Sequence, residues 1–142
     1  MDRESLVLAA LAPANGASHT PVQLQKLLFL IDRSVNDKVG GPHFDFEPYD
    51  YGPFDKDVYS TIEQLALKGL VKTEDSGRGW KKFALTSEGQ NLAESQLETL
   101  DANTRDYFGK LSRFVLSLSF TQLVSAIYKS FPEMKVNSVF KG

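Results

Sequence analysis

The stretch KGLVKTEDSGRGWKKFALTSEG, residues 68–89, decides the fold. Gly69 stands where a helix would end, because a residue without a Cβ enters the left-handed region at no steric cost. Past it the period changes from that of a helix to that of a strand. LVKTED and WKKFALT are two short strands, and the glycine-rich SGRG between them is their turn. Thr86 then supplies a helix N-cap, and TSEGQNLAESQLETL starts a fresh helix.

Upstream, SHTPVQLQKLLFLIDRSV (residues 18–35) has the clearest helix start in the chain. Thr20 can cap it, Pro21 suits its first position, and Val22, Leu24, Leu27, Leu28 and Ile31 form a broad apolar face. ESLVLAALA (residues 4–12) reads as an earlier helix, broken by Pro13, Asn15 and Gly16. Between the second helix and the hairpin lies FEPYDYGPFDKDVY, residues 46–59, with five aromatic residues and two prolines. Phe44, Phe46, Tyr49 and Tyr51 alternate with Asp45, Glu47 and Asp50, which predicts an extended segment interrupted at Pro48. Gly52-Pro53 is expected to turn the chain, and Asp55 to cap a third helix carrying Val58, Tyr59, Ile62, Leu65 and Ala66. After the hairpin and its helix, the tail predicts helices over Asn103–Ser117 and Ser119–Phe131, the latter closed by Pro132.

Helix, helix, helix, strand, turn, strand, helix is the order of a winged helix-turn-helix. The expected fold class is α+β, mainly α, with a small β-hairpin wing and a C-terminal helical extension. Residues 1–99 form the winged-helix domain in this reading, and residues 100–142 the extension. The extension either packs back on the domain or builds a homodimer seam, with packing within the chain as the default.

Composition narrows the function classes. A chain of 142 residues with 42% hydrophobic residues and ten Phe has the material for a core. The absence of cysteine excludes disulfides, thiolate catalysis and cysteine-bound zinc. MDRESLVLAALAPANG opens with acids Asp2 and Glu4 where a secretion signal would be basic. No apolar run approaches the roughly 18 residues of a membrane span. A cytoplasmic protein without a membrane partner is the expectation. Charge is uneven: residues 1–99 hold ten basic and fifteen acidic residues, whereas residues 100–142 hold six basic and three acidic.

LQKLLFLI, the YDYGPF before a helix, LALKGLV, LTSEG after the wing and IYKSFPEMKVNS near the end resemble the YwgA-like proteins. More distantly, LQKLL and the aromatic run leading through Gly-Pro into a helix resemble the Panacea domain of the SocA-like antitoxins. The resemblance covers most of the chain. It implies a small bacterial or phage-associated accessory protein with no defined reaction. In the Panacea relatives it implies neutralising a toxin, directly or as an adaptor that delivers a protease substrate.

The residues themselves point the same way. No metal spacing, nucleophile elbow or phosphate-cradling loop is present, so neither catalysis nor a cofactor is expected. Asp45, Glu47, Asp50, Asp55 and Asp57 lack the spacing of a calcium loop. His19 and His43 are far apart, beside loop residues, and read as surface histidines. Tyr49, Tyr51, Phe54, Asp55 and Tyr59 are the candidate contacts for a protein partner, since aromatic residues anchor interfaces. The alternative is DNA. Arg78, Lys81 and Lys82 with Trp80 make a basic-aromatic wing, against which stands a solvated tip with Trp80 folded on the core. The third helix, DKDVYSTIEQLALK, sets Asp55, Asp57 and Glu63 against Lys56 and Lys68, and phosphates would repel it. A DNA-binding regulator would gain from a dimer that aligns Arg78, Lys81 and Lys82 of two subunits about 34 Å apart.

Overall fold

The computed structural model describes residues 1–140, so Lys141 in the basic tail lies outside them. Six helices and two small antiparallel hairpins give a mainly helical α+β architecture. The helices are α1 (Arg3–Leu11), α2 (Pro21–Ser34), α3 (Lys56–Leu67), α4 (Ser87–Glu98), α5 (Ala102–Ser117) and α6 (Phe120–Ser130). One hairpin pairs β1 (Glu47–Tyr49) with β2 (Gly52–Phe54), and the other pairs β3 (Val71–Asp75) with β4 (Lys81–Leu85). Among the described residues no helix is long and apolar enough to cross a membrane.

Local signals set most boundaries. Thr20 and Gln23 form a reciprocal capping box, and Pro21 opens α2 as expected. At the C-terminal end of α3, Leu70 N–H donates to the Leu65 carbonyl and Gly69 N–H to that of Ala66, with Gly69 at φ 76°. This pair of hydrogen bonds around a left-handed glycine satisfies two carbonyls that the helix end leaves free. Thr86 ties the second hairpin to α4. Its hydroxyl donates to the Gly69 carbonyl (2.7 Å) and accepts from Gly89 N–H (3.0 Å), so one side chain joins the end of α3 to the start of α4. Gly89 rests directly on the Leu70 carbonyl, which leaves no room for a Cβ there.

Helix α1 is buried from Leu6 through Leu11 and lies against α3 and α4, while α5 packs on α2. Phe108, Leu111 and Val115 of α5 and Leu123, Val124 and Ile127 of α6 share one core with α1 and α2. The tail therefore packs back on the N-terminal elements.

The first hairpin departs from the sequence expectation. The chain turns at Asp50-Tyr51, and Gly52-Pro53 lies inside β2. Neither Asp50 nor Tyr51 has a positive φ, whereas Gly52 stands at 105° and supplies the backbone geometry that closes the loop. Pro48 faces Pro53 across the ladder. An antiparallel ladder tolerates this because alternate residue pairs exchange no N–H···O bonds.

The histidines also differ from expectation. His19 is fully buried, with its backbone exchanging hydrogen bonds with Phe83 of β4 (2.8 and 2.9 Å). Burial lowers its imidazole to about 4. The His43 side chain is nearly buried too, with Nε2 donating to the Met1 carbonyl at 2.6 Å. Loop position put these residues near the surface in sequence terms, but His19 is bridged to β4 and His43 is held by Asp32 and the Met1 carbonyl.

Candidate functional site

The aromatic segment is held in place by a polar stripe on α2 that helical periodicity alone would assign to solvent. Gln25, Lys26 and Asp32 are all buried, and each binds backbone of residues 43–55. The Gln25 amide pairs with both backbone groups of Asp55, donating to its carbonyl (2.9 Å) and accepting from its N–H (3.0 Å). Lys26 Nζ donates to the Pro53 carbonyl at 3.3 Å. One oxygen of Asp32 accepts from the N–H groups of His43 (3.1 Å) and Phe44 (3.0 Å). Burial nevertheless raises the Asp32 carboxyl above its usual range, the two backbone donors offsetting part of the rise. These bonds serve backbone groups that an irregular segment cannot satisfy by itself.

The five residues expected to meet a protein partner separate into three groups. Tyr49, Phe54 and Tyr59 come together as a row of rings, with centroids 5.0 Å and then 5.8 Å apart, and Phe83 of β4 extends the row at 6.3 Å from Tyr59. Tyr49 is 53% exposed, and Phe54 and Tyr59 are half-buried, so the row presents a graded aromatic face. Burial pushes the Tyr59 phenol up. Tyr51 is 42% exposed and stands outside the row, edge-on to Phe120 at 5.2 Å. Asp55 is turned away from that face and is buried. Its carboxylate points inward and accepts from Asp57 N–H (2.8 Å) and Asp45 N–H (2.7 Å), which caps α3 and fixes the loop before β1.

The acidity read into α3 is also largely satisfied within the fold. Asp57 pairs with Arg3 at 3.3 Å and Lys68 with Glu4 at 2.6 Å. With Asp55 turned inward, Lys56 and Glu63 are left exposed with opposite signs. The outer face of α3 is close to neutral rather than strongly acidic, and it offers no cationic surplus to phosphates.

On the second hairpin Arg78, Trp80 and Lys81 are exposed and Lys82 is half-buried. Trp80 is 43% exposed at the tip, so it does not fold back into the core. Among the described residues neither Arg78, Lys81 nor Lys82 joins an ion pair within 4 Å. Among the same residues no group of three or more histidines and carboxylates is placed to hold a metal.

Below the aromatic row a cleft of about 260 Å³ opens between α2 and the first hairpin, with Gln25, Lys26, Tyr49, Tyr51, Phe54 and Tyr59 in its lining. Lys26 is 3% exposed, and burial alone lowers its ammonium to about 7. Gly52 lies so near that an added Cβ would sit 3.4 Å from Lys26 Cε and 3.4 Å from Tyr128 Cε1. Sequence reasoning missed Lys26, Gln25 and Phe83 as parts of this site. The available signal was Phe29, an aromatic residue within the polar stripe of α2, which shows that the stripe is covered.

No model of a known protein family matches the chain, and no curated protein matches it.

Proposed function

We propose that the protein is a non-enzymatic, macromolecule-binding accessory protein on a winged-helix scaffold, acting as an antitoxin-like or adaptor module that binds a protein partner. The order α1, α2, α3, β3, β4, α4 supports the winged-helix reading. The capped turn from α3 into a hairpin with an exposed tip supports it as well. One observation carries the choice of partner: the row Tyr49–Phe54–Tyr59–Phe83, partly exposed and hydrogen-bonded to α2 through the backbone of Pro53 and Asp55. Aromatic groups already fixed in place lose little conformational freedom on binding, which is what makes them effective interface anchors.

Affinity capture from the native host tests this directly. Wild-type protein is expected to retain a discrete partner that the double variant Tyr49→Ala, Tyr59→Ala loses while keeping its fold. Equal capture by both proteins would sink the assignment.

The exposed cluster of Arg78, Trp80 and Lys81 favours the second reading, a DNA-binding regulator using the wing. Titration against mixed-sequence duplex DNA separates the two. Micromolar binding that weakens steeply with salt, and disappears in an Arg78→Ala, Lys81→Ala variant, would replace the protein-binding reading.

A further inference from the structure

Lys26 is the one member of the α2 polar stripe that brings an amine into the interior. An ammonium has three donors, and Lys26 uses one of them, on the Pro53 carbonyl. Among the described residues it is in no ion pair, and no neighbouring carboxylate counters the effect of its burial. When protonated in that position, the amine lacks a counter-charge. Although only 3% exposed, Lys26 borders the cleft whose walls are Tyr49, Phe54 and Tyr59.

The size of the cleft limits its occupant. At about 260 Å³ it lies below the roughly 300 Å³ at which drug-sized ligand sites begin, and it admits one residue but not a helix. We infer that this cleft captures the C-terminal residue of a partner polypeptide, its terminal carboxylate on Lys26 Nζ and its apolar side chain against Tyr49, Phe54 and Tyr59. The inference rests on the protein-binding reading above and names the chemistry of the partner. A chain end delivers a carboxylate and an apolar group within a single residue, the combination that this pairing of a cation with aromatic walls would recognise.

Asp50 stands in the lining as well, with Glu47 and Asp45 exposed nearby in sequence. A ligand with one carboxylate sets its single charge against Lys26 and Asp50 together, whereas an acidic tail would add further negative charge beside Asp50. The site therefore selects a chain end with a neutral last residue. Binding also draws in a proton: the free amine is largely neutral above pH 7, and a bound carboxylate favours the ammonium.

Calorimetry with N-acetyl-phenylalanine and with N-acetyl-phenylalaninamide, at pH 8 in two buffers of different ionisation heat, tests the inference on the intact protein. The acid is expected to bind at least tenfold tighter than the amide. Its binding should take up about 0.9 proton, the neutral fraction of an amine titrating one unit below the working pH. Lys26→Met should erase the preference for the acid. Equal binding of acid and amide, undetectable binding of the acid, or binding without proton uptake would each overturn the inference, and the wild-type comparisons do so whether or not the variant folds. The partner surface stands or falls separately. If the Tyr49→Ala, Tyr59→Ala variant loses its captured protein while the acid fails to bind, the surface reading holds and the chain-end reading does not.

Discussion

Replacing Lys26 by methionine should change how stability depends on pH, in a direction set by the burial of the amine. In the unfolded chain the lysine titrates at its ordinary 10.5, and in the fold at about 7. Between these values the unfolded chain holds a proton that the folded protein has lost. Stability therefore rises as pH increases through this window. With those two values, the gain between pH 7 and pH 9 is about 2 kcal/mol from this residue alone. Methionine has a similar unbranched shape and no proton to exchange, so Lys26→Met removes that slope. Tyr59 does not interfere, because burial pushes its phenol up and its titration falls above the window. Urea unfolding of both proteins at half-unit steps from pH 7 to 9 measures the difference. Two curves that stay parallel to within ~0.5 kcal/mol would show that the amine is solvated in the fold, and the cleft would then hold no buried cation.

Asp55→Ala should cost about 2–3 kcal/mol in the same assay, because it removes the α3 cap and leaves the Asp45 N–H without its acceptor. A loss under about 0.5 kcal/mol would mean that the carboxylate is free to act as a surface contact after all. Gly89→Ala should destabilise by about 2–3 kcal/mol, since the new methyl group overlaps the Leu70 carbonyl and α4 must shift away from the hairpin. A neutral result in thermal unfolding would place α4 further from Leu70 than described. His19→Leu should resist acid better than wild type. The imidazole is neutral in the fold down to about 4, so between pH 6.5 and 4 the unfolded state alone takes up a proton and wild-type stability falls with pH. The gap between the two proteins should widen by about 3 kcal/mol from pH 7 to 4, read from denaturant midpoints.

What could be read from the sequence was what depends on neighbours along the chain. The Thr20, Asp55 and Thr86 caps, the left-handed Gly69 and both strands of the second hairpin are each fixed by a few consecutive residues. The first hairpin was mislocated by two residues because Gly-Pro is a turn signal in isolation. Here the glycine closes the loop, and the proline fits a ladder position that needs no N–H. The site was only half legible. Tyr49, Phe54 and Tyr59 could be named because aromatic residues beside acids suggest a surface. Lys26 could not, since a lysine in QLQKLLFL looks like the solvated face of an amphipathic helix. Its burial depends on a hairpin some twenty residues downstream, and helical periodicity carries no record of a cover laid on from elsewhere. The acidity of α3 was overestimated for the same reason, because Arg3 reaches Asp57 from a distant part of the chain.

The first hairpin is tied down by residues close to the end of the described chain. Asn137 donates to the Pro48 carbonyl at 3.2 Å, and Ser138 Oγ and Val139 N–H both donate to that of Asp50, at 3.2 and 3.0 Å. Tyr128 in turn donates to Ser138 Oγ at 2.6 Å. During synthesis α1, α2, α3 and the second hairpin are all made before this fastening exists. The aromatic turn thus reaches its final setting only after residues 137–139 have emerged, later than the helices and the second hairpin beside it. A nascent chain cannot engage a partner through the finished turn before that point, and substitutions at Asn137 or Ser138 would disturb the turn before they disturbed the core.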